Sequence, residues 1–584
     1  MTGAALASLL PLPAAIPLAG AVTAPLLARC SRRLPVIIAL VAMAGSAAVL
    51  LAEAPAVFDG HLAVTYLGHW TPVGGGHALG IAFAADPFGL LFALAAAIIG
   101  GVLLLYTLSE LGGLGPRELG GYACLFQLLL GALIGAALTA DIIDLFVWFE
   151  VAALASYGLT GFFLERPIAL EAAFKIGVLT TLASFSIFLG AGLLYARHGA
   201  LNFGQLHSSL AGNVTTPDKV ALGLLIAGFA TKAGLVPFHG WLADAHTAAP
   251  GPVSALFSGL MVNLGIVAIA RLAFQVYGPA STPVLGLLMI VGLISALLGA
   301  LMALAQDDLK RLLAYDTVSQ IGIMAVGLGT GNAAGIAGAA YHLVNNALFK
   351  SLLFLCAGAI VHRTGATRLS EMGGLARRMP VIAAAFVLGA LSIAGIPPVN
   401  GYVSLSLIHQ GLEASHQTVP YVLTLAAQVI TVAALGRAAW LAFFRPSADD
   451  YAWRERLRPG MLAGLGALGA CCVAFGVAGP VVLRRLMAPA ASGLLQAGSY
   501  AGGILRGGGV FPALRIAFDY ASPAELMIVA ASVAVAAVLA WGYLRITEPR
   551  PIRWLRALHT GSANDYAAYA VTGTLAVIAV LALG

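Results

Sequence analysis

Residues 223–239 read Gly-Leu-Leu-Ile-Ala-Gly-Phe-Ala-Thr-Lys232-Ala-Gly-Leu-Val-Pro237-Phe-His239. One lysine stands in an otherwise apolar run, and a proline follows it five positions later. A charge at bilayer depth costs roughly 2.5–3.5 kcal/mol on insertion scales, so it is seldom retained without a use. A proline break at that depth frees backbone groups that lipid cannot satisfy, so the break has to face protein or water. Together the two features point to a polar, ion-handling site midway across a membrane.

The rest of the chain fits that setting. Of 584 residues, 60% are hydrophobic and 9% charged, against about 25% charged in soluble proteins. Mean hydropathy is +0.95. A spanning helix takes about 20 apolar residues, and the sequence offers about sixteen such segments. The first has no basic leader: nothing charged precedes Arg29, and Pro11, Pro13 and Pro17 interrupt it. It reads as a spanning helix and not as a cleaved signal. The fold class expected is an all-α polytopic membrane protein.

Net charge is +6, and its placement is informative. Residues such as Arg32, Arg33, Arg166, Lys310, Arg311, Arg377, Arg378 and Arg556 fall in alternate loops. The opposite loops carry Arg197, Lys219, Arg484, Arg485, Arg506 and Arg515. The positive-inside rule then places both termini outside a cell membrane. These basic residues read as topology signals and not as a nucleic-acid surface. Cys30, Cys124, Cys356, Cys471 and Cys472 show no C-x-x-C spacing, so iron–sulfur or zinc ligation has no support. No glycine-rich phosphate loop stands between a strand and a helix, so no nucleotide or other cofactor is expected. His61, His69 and His77 match no zinc spacing and read as surface histidines.

Four regions follow along the chain. Residues 1–120 hold peripheral helices and an external excursion, where the stretches at His61 and His77 suit a hairpin around Gly74-Gly75-Gly76. Residues 121–280 and 281–445 form two five-helix groups. The fourth helix of each is interrupted, at Pro237 and at Pro397-Pro398 in Ala394-Gly-Ile-Pro-Pro-Val-Asn-Gly-Tyr402. Matched broken helices point to inverted repeats with a midplane site. Residues 446–584 add further spanning helices after a basic loop at 445–458. Within them, 484–522 reads as an external loop whose Arg506-Gly-Gly-Gly509 is a flexible linker.

The buried polar residues are few. Glu150 and Lys232 sit too far from helix ends to snorkel, and Lys350 is similarly deep. Lys175, read as lying near the start of its helix, either snorkels or belongs with them. His342, Asn346 and Lys350 recur at i, i+4 and i+8 and stack on one helix face. His342 suits packing or a relay equally.

These stretches resemble the antiporter-like subunits of respiratory complex I, Mrp-type sodium/proton antiporters and membrane-bound hydrogenases. The matching runs are Phe146-Val-Trp-Phe-Glu150, Thr231-Lys232-Ala-Gly-Leu-Val-Pro-Phe-His239-Gly-Trp-Leu-Ala-Asp244-Ala-His246 and Ala249-Pro-Gly-Pro-Val-Ser-Ala255. Downstream come Gln306-Asp-Asp-Leu-Lys310, Val318-Ser-Gln320, His342-Leu-Val-Asn345, Ala347-Leu-Phe-Lys350 and Ala394-Gly-Ile-Pro-Pro398. The resemblance covers roughly residues 80–445. It implies an ion pair of Glu150 with Lys232, Lys350 as onward acceptor, and His342 linking to it through water. It also implies partner subunits of a complex I-like, hydrogenase-like or Mrp-like assembly. Against the family pattern, Asn263 replaces a lysine, Ser258 stands where some members have a histidine, Asn346 replaces a second histidine, and Leu405 replaces an exit lysine or glutamate. His409, one turn past Leu405, is the candidate substitute.

The function expected is a proton- or cation-translocating subunit of a redox complex or antiporter, with no catalytic chemistry of its own. Two alternatives stand beside it. Asn263, Asn346 and Leu405 suit a non-conducting scaffold or coupling subunit. The midplane breaks also suit an independent secondary transporter.

Overall fold

In the computed structural model, the described residues are 7–72, 80–110, 113–446, 451, 457–520, 522–544, 559 and 561–583. Helices α1 (Leu12–Leu27) and α2 (Leu34–Phe58) come first. Strands β1 (His61–Tyr66) and β2 (Ala82–Ala85) follow, then α3 (Pro87–Glu110). The first five-helix group comprises α4 (Pro116–Leu138), α5 (Ile142–Thr160), α6 (Pro167–His198), the broken pair α8 (Thr216–Ala233) and α9 (Gly240–Ala248), and α10 (Gly251–Tyr277). The short α7 (Phe203–Leu210) precedes the broken pair.

The second group comprises α11 (Thr282–Ala305), α12 (Leu309–Gly329), α13 (Ala333–Thr364), the broken pair α14 (Pro380–Ile393) and α15 (Gly401–Ala414), and α16 (Thr418–Phe444). Then come α17 (Pro459–Val477), α18 (Ala488–Leu495), α19 (Ala497–Arg506), strand β3 (Gly508–Val510), α20 (Pro523–Tyr543) and α21 (Ala563–Leu583). Thirteen helices among the described residues are long and apolar enough to cross a membrane. With α1 and the two broken pairs they account for the sixteen segments expected.

Layering follows burial. The most apolar windows of α10 and α12 are wholly buried, whereas only 11% of that of α20 and 22% of that of α21 are. The broken pairs therefore pack around an inner group of α10, α12 and α13, with α20 against α16 and α21 against α8 at the edge.

The two breaks share a local cause. Helix α8 starts with a capping box, Thr215 with Asp218, and stops at Gly234, whose φ of 73° is left-handed. Gly395, with φ 67°, follows the end of α14. The prolines then prevent the helix from resuming. The freed backbone groups are satisfied by protein. Trp241 Nε1 donates to Thr231 O at 2.9 Å, and Val236 N donates to Ser295 Oγ at 3.0 Å. At the second break, Gln428 Nε2 donates to Ala394 O at 3.1 Å and Asn345 Nδ2 to Asn400 O at 2.8 Å.

Three expectations need correction. The hairpin forms, but its second strand is Ala82–Ala85, set by the register Ala63↔Ala85 to Tyr66↔Ala82. Residues 484–522 are not a loop throughout, because α18 and α19 lie inside them. The glycine run after Arg506 is not a free linker: Gly508–Val510 adds to β1 as a third strand, order β2-β1-β3. Glycines lack the side chain that would meet α19 there, where Gly509 lies against Gly503. His77 and most of the basic loop at 445–458 lie outside the described residues.

Candidate functional site: two lysine-centred ion pairs

Lys232 occupies the last turn of α8, immediately before the break, with its side chain 2% exposed. Its Nζ donates to Ser184 Oγ of α6 at 2.9 Å and lies 3.6 Å from Glu150 Oε1 of α5. Ser184 Oγ in turn donates to that carboxylate oxygen. The hydroxyl therefore bridges acid and base. Asp141 fixes the rotation of α5 by capping it, accepting from Ile143 N and Asp144 N at 2.9 Å each. Unlike the lysine, the Glu150 side chain is 35% exposed on the flank of the subunit.

The second group centres on α13. Lys350 pairs with Asp316 of α12, and its Nζ also donates to Leu313 O at 3.2 Å. Gln320, one turn on from Asp316, donates to it at 3.2 Å. Gln320 Oε1 meets His342 Nε2 at 3.0 Å, and His342 Nδ1 meets Ser404 Oγ of α15 at 3.0 Å. A continuous chain of side chains thus runs from Lys350 to the second broken helix. His342 joins it through Gln320 and Asp316 directly.

Residues 139–431 match the family described as NADH:quinone oxidoreductase/Mrp antiporter, TM. The NADH-quinone oxidoreductase subunit N of Desulforudis audaxviator is 37% identical over 396 residues, covering 67% of this chain and 77% of that protein. The chain belongs to the NADH:quinone oxidoreductase/Mrp antiporter family. A Na(+)/H(+) antiporter subunit of Bacillus subtilis is 33% identical over 57% of this chain and 67% of its own length. Hydrogenase-4 component B of Escherichia coli is 35% identical over 57% of this chain and 51% of its own. Among solved structures, the Mrp complex from Dietzia sp. DQ12-45-1b contains a chain that superimposes with TM-score 0.76 at 26% identity. It covers 86% of this chain and 100% of that one. A chain of the membrane-bound sulfane sulfur reductase, an archaeal respiratory membrane complex, gives TM-score 0.76 at 27% identity over 85% and 99%.

Within this family member, the two ion pairs are separated by amides. Asn346 Nδ2 donates to Asn263 Oδ1 at 3.0 Å, and Asn263 Nδ2 donates to Leu343 O at 3.0 Å. Ser258 Oγ meets Thr317 Oγ1 at 2.6 Å. The asparagines tie α10 to α13, the helix that carries Lys350. Lys175 is the ninth residue of α6, not near its start, because the helix begins at Pro167. Nine residues separate it from Ser184, about 13 Å along the axis. It pairs instead with Glu171 at 2.6 Å and Asp244 at 2.9 Å, and Arg311 lies 3.7 Å from the same aspartate.

Leu405 and His409 line a small cavity with Ser406, Gln428 and Glu525. The His409 ring lies against Tyr421, ring centres 5.0 Å apart and planes tilted by 52°, and its Nε2 has no hydrogen-bond partner among the described residues. Glu525 comes from the first turn of α20 and accepts from Ser406 Oγ at 3.4 Å.

Sequence reading missed Ser184, Asp316, Gln320, Ser404 and Glu525. For Asp316 the signal was present: an aspartate within an apolar helix meets the same criterion that singled out Lys232. It also missed Arg271, which pairs with Asp86 at 2.5 Å, both side chains fully buried. That pair, with Gln275 reaching Gly493 O at 3.2 Å, fastens α3, α10 and α18 together. Ser184 and Ser404 carried no such signal, since serine is common in packed membrane helices. Among the described residues no group of histidine, cysteine and carboxylate side chains is disposed to hold a metal.

Proposed function

We propose that the chain translocates protons, or a cation exchanged for them, as one membrane subunit of a larger complex I-like, hydrogenase-like or Mrp-like assembly. The observation that carries this reading is Lys232, buried at a helix break and joined to Glu150 through Ser184. At this separation and an effective dielectric near 20, the pair attracts by about 4 kcal/mol, less where the partly open edge of Glu150 meets water. Drawing Glu150 toward a neighbouring subunit weakens the hold of Lys232 on its proton and drives it onward. No bond chemistry is needed in this chain.

Onward transfer reaches the Lys350–Asp316 pair, beyond which Gln320, itself unable to titrate, orients His342 toward that pair, and His342 leads on to Ser404 of the second broken helix. The buried amide oxygens of Asn345 and Asn346 have no hydrogen-bond partner among the described residues, and their acceptor capacity suits ordered water. Leu405 offers no titrating group. In this reading His409 and Glu525 supply one at the outer end of α15, across a cavity of about 10 Å³ that holds about one water. Lys175 contributes as part of the Asp244–Arg311 cluster at the opposite end. The two five-helix groups, 121–280 and 281–445, act as inverted repeats around this path, between an N-terminal region 1–120 and a C-terminal region 446–584. The chain sits in the cell membrane with both termini outside.

A second reading has its own support. The Asn263–Asn346 bond joins two amides, which hold water but cannot titrate. In that case the subunit couples or scaffolds without conducting. Reconstituting the parent complex with Lys232→Ala separates the two. A conducting subunit loses coupled proton uptake with its assembly intact; a scaffold retains uptake.

A further inference from the structure

On the face that carries few basic residues, three of them converge on one cavity. It has a volume of about 840 Å³ and is lined by Arg484, Arg485 and Arg515. Sequence reading assigned six cations to that face, and the positive-inside rule gives them no topological purpose there. None of the three guanidinium groups has an ion pair or hydrogen bond among the described residues. Asp59 also lines the cavity, so three positive charges meet one negative.

The position is as specific as the charge. Phe58 ends α2 and lines the cavity, and Pro480, also lining it, stands three residues beyond the end of α17. Two apolar helices therefore leave the hydrocarbon at this level. The inner wall is apolar, with Leu483, Leu514, Ile516 and Phe518. Beside it, Val477 and Val481 are 62% and 52% exposed. Guanidinium groups bind phosphate oxygens bidentately, and basic pockets between membrane helices suit lipid headgroups.

We propose that this cavity binds the phosphate headgroup of an anionic phospholipid, its acyl chains lying along the exposed valines beside α17. The test uses the full chain within its purified membrane complex. Retained lipid is measured by native mass spectrometry after exchange into phosphatidylglycerol or phosphatidylcholine, with inorganic phosphate as competitor. Phosphatidylglycerol is expected to be retained selectively. Each of Arg484→Gln, Arg485→Gln and Arg515→Gln should weaken retention roughly fivefold, while Arg377→Gln/Arg378→Gln on the opposite face leaves it unchanged. Single variants keep the test informative if the triple variant does not fold. Equal retention of phosphatidylcholine, unchanged retention in the single variants, an equal loss with Arg377→Gln/Arg378→Gln, or displacement by equimolar inorganic phosphate would each overturn the proposal.

Discussion

At Lys232 the ammonium meets a hydroxyl at 2.9 Å and a carboxylate at 3.6 Å. The closer partner is the neutral one, so Ser184 sets the geometry between Lys232 and Glu150. A hydrogen bond to a charged group contributes about 1.5–3 kcal/mol. Ser184→Ala should therefore lower coupled proton uptake by roughly tenfold with little loss of assembled complex, read as uptake per mole of complex in vesicles. Asp316 poses the opposite case. Removing one member of a fully buried pair costs about 3–5 kcal/mol. Asp316→Asn should reduce the complex recovered from membranes, and Asp316→Asn/Lys350→Met should restore recovery without restoring transport. Recovery unchanged in the single variant would contradict the pairing. At the outer end, Glu525→Gln should slow coupled uptake about a hundredfold, the low end of the scale at which positioned proton-transfer groups act, provided Lys232→Ala abolishes it. Uptake unchanged in Glu525→Gln alone would remove Glu525 from the path and leave the Lys232 reading in place.

The broken helices explain why these side chains lie where they do. Each break is written in the sequence as a glycine followed by proline, and both were legible there. What the pattern did not reveal was how the freed backbone is satisfied, since Trp241, Ser295, Gln428 and Asn345 reach it from distant positions or other helices. Contacts of that kind depend on which helices become neighbours, and local sequence does not specify neighbours. The same limit hid Glu525, about 120 residues from Leu405 in sequence yet lining the same cavity. Gly234 offers a test at this scale. It is left-handed, and a methyl group added there would lie 2.5 Å from Leu242 Cδ1. Gly234→Ala should lose about 1–2 kcal/mol from the backbone alone, seen as a lower thermal midpoint of the purified complex. An unchanged midpoint would show that the break tolerates another geometry.

Across the whole molecule, composition and segment length sufficed for the membrane class and the sixteen helical segments. Motif spacing sufficed for the family. The proposed interior relay was only half legible: its lysines stand out against apolar surroundings, whereas its serines and glutamine do not. The asparagines raised the question of conduction from sequence, and their direct bond in the structure sharpens it. The most direct measurement is coupled proton uptake by vesicles carrying the parent complex, compared between the native chain and Lys232→Ala at equal assembly. Loss of uptake in the variant is the predicted result. Native-level uptake in Lys232→Ala would contradict the claim that this buried ammonium loads and releases protons.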